Sequence, residues 1–285
     1  MDFLYAGSWD EALAVKSQRP DAVPISGGTD LMVELNFGRR RPHALLDLNG
    51  VAELAQWERV DGAVRIGAAV PFTRIIDEVG PHVPGLAIAS RTVGSPQIRN
   101  RGTLGGNLAT ASPAGDALPP LVTADATVEI ASSTRGTRTV PVRDFFTGPK
   151  RSVLEADELI RALLVPIAEG PQQFAKVGTR NAMVIAVCSF ALALHPSRRA
   201  VSGCIGSAGP TVLPTPEAQD FLAAELDWDA DLDEAVAARF GELVASAARP
   251  IDDVRGSADY RRRALAVLAR RTLTWCWDEY RGARP

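Results

Sequence analysis

The chain has 285 residues, 46% of them hydrophobic and 23% charged, with a formal net charge of -3. That length exceeds the usual size of one hydrophobic core, so two or three packed domains with room for a cofactor are expected. The slight acidic excess gives no overall attraction to nucleic acid. Residues Met1 to Leu13 lack a basic stretch followed by an apolar one, and no later run reaches the roughly 18 uncharged apolar residues of a membrane span, which leads us to expect a cytoplasmic protein with no membrane span.

In chain order, Ser8 followed by Glu11 reads as a capping box opening a short helix through Ala12, Leu13 and Val15 and closed by Pro20. Ala22 to Ile25 is a short apolar strand that runs into a glycine pair, and Leu31, Met32 and Leu35 beyond the pair have helical spacing. Leu45 to Leu48 and Val64 to Ala69 are of strand length, and Pro71 with Phe72, Ile75 and Ile76 suits a helix. From Thr127 to Ile130 and from Thr139 to Val142 the period becomes two, with β-branched residues, as in an antiparallel region. Pro166, Gly170 and Pro171 interrupt the pattern and suggest a boundary. Two apolar runs follow that read as strands, Met183 to Leu194 and Val201 to Ser207. Three helical stretches come last, Glu217 to Leu226, Leu232 to Ala248 and Ala258 to Tyr280, with Arg261 to Arg263 expected on the exposed face of the third. The class is mixed α and β.

The three cysteines, Cys188, Cys204 and Cys276, form neither a disulfide framework nor a C-x-x-C site, and no metal site is expected. Chemistry concentrates instead in two glycine-bearing segments. The first is Pro24-Ile25-Ser26-Gly27-Gly28-Thr29-Asp30-Leu31; the second is Arg99-Asn100-Arg101-Gly102-Thr103-Leu104-Gly105-Gly106-Asn107. Glycines let successive backbone N–H groups converge on an anion and tolerate positive φ, while Thr29 and Thr103 add hydroxyl donors. A helix beginning after Gly28 would add unpaired N–H groups of its own. Such a pair of loops could clamp a pyrophosphate; a plain turn or tight packing would account for either one alone.

The run from Gly94 through Arg99-Asn100-Arg101-Gly102-Thr103-Leu104-Gly105-Gly106-Asn107, continuing into Ser112-Pro113-Ala114-Gly115-Asp116, resembles the FAD-binding medium subunits of the molybdenum hydroxylases. That group contains carbon monoxide dehydrogenase and xanthine dehydrogenase. The Ser26-Gly27-Gly28-Thr29-Asp30 loop is similar to the first flavin loop of the family, and Phe174-Ala175-Lys176, Gly206 to Thr211 and Asp253 to Arg262 are similar to its last domain. The resemblance implies an α+β fold. A two-subdomain FAD-binding domain of the vanillyl-alcohol oxidase (PCMH) type would span 1–168, divided at about 57, and an α/β C-terminal domain of the carbon monoxide dehydrogenase flavoprotein type would span 169–285.

By the same resemblance, Pro24, Ile25, Ser26, Gly27, Gly28, Thr29, Asp30 and Leu31, with Thr103, Leu104, Gly105, Gly106 and Asn107, hold the FAD diphosphate. Asp116 takes ribityl or ribose hydroxyls, which suit a carboxylate better than phosphate does, or else stabilises its loop as an Asx turn. Ile160 gives an apolar flavin contact or is a plain core residue. Lys176 approaches the flavin, where a fixed cation favours the reduced anion, unless it is a surface lysine. Arg99 and Arg101 could pair with phosphate or pack on a subunit interface. His43, His82 and His195 fall outside the motifs, so non-covalent FAD is expected, and no aromatic side chain lies from Val93 through Asp116 to stack on the ring.

The function so implied is electron relay. Substrate is oxidised at a molybdenum cofactor in a large subunit, electrons cross iron–sulfur clusters of a small subunit, and FAD collects them for an external acceptor. Three scattered cysteines exclude a four-cysteine cluster here, so molybdenum and clusters belong to the partners. A stand-alone flavoenzyme of the same fold and a non-catalytic assembly protein are the alternatives; a flavin reducible by substrate alone, or a colourless chain that ignores FAD, would mark them.

Overall fold

The computed structural model describes residues 1–282. The chain opens with strand β1 (Asp2–Tyr5), helix α1 (Trp9–Gln18), strand β2 (Val23–Ile25), helix α2 (Leu31–Asn36) and strand β3 (Ala44–Asp47). The three strands form a parallel sheet in the order β1-β3-β2. The Ser8 hydroxyl caps α1 by accepting from the Glu11 N–H at 3.3 Å. Glu11 reaches back one residue further than a capping box requires and accepts from the Gly7 N–H at 2.8 Å. At the other end the buried Lys16 ammonium donates to the Pro20 and Ala22 carbonyls, at 2.9 and 2.7 Å, and so fixes the entry into β2.

Next come β4 (Trp57–Val60), β5 (Ala63–Gly67), a single α-turn α3 (Phe72–Arg74), α4 (Pro84–Arg91), α5 (Pro96–Arg101), α6 (Leu104–Thr110) and α7 (Leu118–Thr123). They are followed by β6 (Thr127–Ser132), β7 (Gly136–Pro141), α8 (Val142–Phe145), the hairpin β8 (Phe146–Gly148) and β9 (Arg151–Ser152), and β10 (Leu159–Pro166). An antiparallel sheet of order β4-β5-β10-β6-β7 results, with the last strand in sequence at its centre. The helix expected from Pro71 widens after one turn into a π-turn, Ile75–Val79, which keeps both Ile75 and Val79 buried. One hydrophobic core joins the two sheets, with Leu46 from the first, Trp9 from helix α1, and Ile66, Ile130 and Leu163 from the second. All of α3 to α7 is an excursion between neighbouring regions of the second sheet, and it carries the second glycine segment beside the first.

The remaining strands, β11 (Gln172–Val177), β12 (Cys188–His195), β13 (Ala200–Gly206) and β14 (Leu213–Pro214), form an antiparallel sheet in sequence order. Helices α9 (Pro216–Glu225), α10 (Glu234–Ala247) and α11 (Ala258–Tyr280) cover one face, where Phe190, Leu192, Phe240, Leu273 and Trp277 share a second core. The opposite face meets α4 through Ala89, Phe174 and Ala191. Two expectations are corrected here. The apolar run beginning at Met183 becomes strand only at Cys188, because residues 183–187 form a connection in which Met183 has φ 50 and Met183 and Ile185 are exposed. Arg261 is buried rather than exposed, donating to the Ser207 carbonyl at 2.7 Å and to Asp253 at 2.5 Å. No helix among the described residues is long and apolar enough to cross a membrane.

Candidate flavin site

The two glycine segments are in direct contact. The first leaves β2 at Ile25, turns through Gly28 at φ 75 and enters α2 at Leu31. The second begins with α5, capped by Ser95, and re-enters helix at Thr103, whose hydroxyl caps α6 by accepting from the Gly106 N–H at 3.1 Å. A methyl group at Gly27 would sit 1.8 Å from the Arg101 carbonyl oxygen, so only glycine lets the two backbones meet. Gly105 answers a different need: a methyl there would lie 2.6 Å from the Ala68 side chain, and its absence lets α6 press on the end of β5. Gly106 faces outward and would meet only the Thr103 hydroxyl, at 2.9 Å.

The loops differ in what their amides can do. Among the described residues, the N–H groups of Gly27, Gly28, Thr29 and Asp30 donate to no protein acceptor, which leaves four successive donors available to an anion. The N–H groups of Leu104 and Gly105 donate to the Val70 and Ala68 carbonyls at 3.2 and 2.9 Å, and that of Gly106 to Thr103. The second loop therefore offers its outward Gly106 face rather than a set of free amides. A cleft of about 120 Å³ opens where the loops meet, lined by Ser26, Gly27, Asn49, Asn100, Arg101 and Thr103 among others.

Two buried acceptors, Asn107 Oδ1 and Asp116 Oδ1, have no donor among the described residues. They flank the same loop, since a methyl at Gly115 would lie 3.1 Å from Asn107 Oδ1. A buried oxygen without a donor costs about 1–3 kcal/mol, and two such oxygens at one loop fit a ligand rich in hydroxyl groups. The other Asp116 oxygen accepts from Lys176 Nζ at 2.5 Å and from the Thr92 hydroxyl at 3.0 Å. Burial pushes the Asp116 carboxyl above its ordinary range, while the Lys176 ammonium and the Thr92 hydroxyl pull it back. Lys176 also donates to the Thr92 and Val184 carbonyls at 2.9 and 3.1 Å, so all three of its protons are engaged. It is no surface lysine, and beside Asp116 it acts on its surroundings as half of a neutral pair.

The other sequence-predicted residues divide. Asp30 accepts from the Thr110 hydroxyl at 3.1 Å, which ties the first loop to α6. Pro24 and Ile25 end β2, while Leu31 and Leu104 open α2 and α6. Ile160 is buried in β10 opposite Ile130, just before a β-bulge, and belongs to the shared core. Arg99 is committed to the Val93 and Gly94 carbonyls at 3.1 and 2.9 Å, whereas among the described residues Arg101 reaches only Asn49, at 3.4 Å. His195 lies away from the site, between Glu169 and Ser202. Sequence reasoning missed Thr92 and Asn49, which carry no motif; only the fold brings them to Asp116 and to the cleft.

Two contacting glycine loops, a row of free amides and two buried oxygens without donors could together hold a dinucleotide. Comparison with known proteins agrees. Residues 1–168 match the FAD binding domain in molybdopterin dehydrogenase, and residues 173–276 the CO dehydrogenase flavoprotein C-terminal domain. The nicotinate dehydrogenase FAD-subunit of Eubacterium barkeri is 36% identical, over 72% of this chain and 74% of that one. The nicotine 6-hydroxylase medium subunit of Paenarthrobacter nicotinovorans is 32% identical over 93% of each. In quinoline 2-oxidoreductase from Pseudomonas putida 86 a chain superposes with a TM-score of 0.90 at 30% identity, over 99% of this chain and 98% of that one. The chain belongs to the FAD-binding medium subunits of the molybdenum hydroxylases, and its fold is the FAD-binding domain followed by the C-terminal domain of that family.

Proposed function

We propose that this subunit binds FAD non-covalently, with the diphosphate on the amides of residues 27–30 and against Gly106, and the ribityl hydroxyls at Asn107 and Asp116. Bound FAD supplies a centre that accepts electrons one at a time and releases them as a pair. The chain's own part is to bind and orient. The Gly27–Arg101 contact fixes the spacing of the loops, Asp30 holds α6 through Thr110, and the Lys176–Asp116 pair sets a neutral, preorganised wall beside the remaining acceptor. Electrons come from iron–sulfur clusters of a small partner subunit, fed by a large molybdenum subunit, and leave to an external acceptor in the cytoplasm. The domains run 1–168, with subdomains divided near 57, and 169–285.

The observation that carries this reading is the run of four successive amides without an acceptor among the described residues, beside the point where two glycine loops touch. Acid precipitation should release FAD, leaving no flavin on the chain. The chain mixed with its small and large partners should have its flavin reduced by the large subunit's substrate, and the rate should collapse without the small one. Rapid reduction of the lone chain by an organic substrate would refute the relay.

A further inference from the structure

Helix α2 leaves part of its apolar surface uncovered. Its sequence, Leu-Met-Val-Glu-Leu-Asn, is that of a core helix, yet none of its residues is buried. Met32 is 44% exposed, Val33 47%, and Phe37, which caps its C-terminus, 72%. Polar contacts hold the helix down: Asp30 accepts from Thr110 at its start, and Glu34 pairs with Lys150 at 2.7 Å and with Arg40 at 3.8 Å. Leu31 and Leu35 are half-buried alongside Glu34, while Met32, Val33 and Phe37 face outward, an exposure that water does not favour.

The exposed side continues into Phe37-Gly38-Arg39-Arg40-Arg41. The Arg39 guanidinium lies 5.3 Å from the Phe37 ring centre, and among the described residues neither Arg39 nor Arg41 has a carboxylate within 4.0 Å. Apolar side chains edged by arginine have the composition of an interface centre and its rim. The patch also adjoins the flavin loop, because a methyl at Gly28 would lie 3.4 Å from Met32 Cγ.

We propose that Met32, Val33 and Phe37, rimmed by Arg39 and Arg41, form the docking surface for the iron–sulfur subunit, which meets it with an apolar face edged by carboxylates. The inference rests on the flavin reading. The subunit that gives electrons to the flavin has to lie close to it, and this is an uncovered apolar surface in contact with a flavin loop. The arginine rim selects an acidic partner and makes its association sensitive to salt.

The test uses the whole complex, purified with Phe37→p-benzoylphenylalanine and, as a control, the same substitution at the exposed Val267 on α11. Irradiation should join this chain to the smallest, cluster-bearing subunit from position 37 and not from 267. A charge reversal, Phe37→Glu with Arg39→Glu, should lower small-subunit retention at least tenfold in gel filtration. An adduct only with the large subunit or with a second copy, or no adduct above the control, overturns the proposal, as does full retention in the reversed variant. FAD content measured on the same preparations keeps the two readings apart. A chain without FAD sinks the flavin assignment, whereas a flavin-loaded chain that fails to cross-link sinks only the docking surface.

Discussion

Substituting Gly27→Ala tests whether loop contact sets the flavin site. The added methyl would be placed 1.8 Å from the Arg101 carbonyl oxygen and 2.6 Å from its carbon. Non-bonded carbon and oxygen need about 3 Å or more, so the loops must part by more than ~1 Å. Hydrogen bonds span only about 2.7–3.2 Å, and such a shift would remove one or two of the charge-assisted bonds that the first loop is proposed to give the diphosphate. At about 1.5–3 kcal/mol each, FAD affinity should fall at least about tenfold. Folding should lose about 1–3 kcal/mol as in other overpacked contacts, which a typical stability of 5–15 kcal/mol survives. Titration of apoprotein with FAD by fluorescence quenching reads the affinity, and circular dichroism reads the fold. Gly62→Ala is the matched control: its φ of 78 imposes backbone strain, but nothing lies within 4 Å of the new methyl, so FAD affinity should hold. Gly27→Ala with unchanged affinity would refute the reasoning.

Three further outcomes are expected. Gly106→Val points a branched side chain outward, where the diphosphate is proposed to lie, and should abolish FAD binding with little change in melting temperature; retained FAD at full occupancy would remove Gly106 from the site. Lys176→Met leaves Asp116 buried without its cation and should cost about 3–5 kcal/mol, with Lys176→Met/Asp116→Leu recovering much of it; a single variant as stable as the parent would show the pair to be idle. Glu158, almost fully buried, accepts from Arg138 at 2.8 Å through both oxygens, and these bonds hold its carboxyl below its ordinary value against the opposing effect of burial. A folded-state pKa below the unfolded one stabilises above about pH 4.5 and is lost as pH falls through the folded value. Because Arg138 is partly exposed, Glu158→Gln should cost only about 1 kcal/mol at pH 7 and flatten the melting profile between pH 5 and 3; an unchanged acid slope would exclude the pair as a source.

Much of the fold was legible where periodicity and capping agreed. Helix α11 runs from Ala258 to Tyr280 as its pattern indicates, because Ser257 caps it and its apolar side meets a flat sheet. Strand β1 went unread, since Asp2 to Tyr5 shows no clean alternation and gains its partner, β3, from forty residues away. The run at Met183 misled because a connection can be apolar without being a strand. Arg261 misled because helical period says which side faces inward, not that the Ser207 carbonyl there needs a donor. At the site, glycine clusters and a family likeness were visible, but not their separate reasons: Gly27 is required by another loop and Gly105 by a strand. Asp116 and Lys176 stood out singly, and only folding made them one pair.

That pair also fastens the molecule together. Lys176, at the start of the C-terminal sheet, is bound to the end of α4, to the loop before α7 and to the connection at Val184, and Cys204 and Val212 reach into the core of the first half. A protease cutting the segment between β10 and β11 would therefore nick the backbone without freeing either piece, and the fragments should travel together until a denaturant parts them.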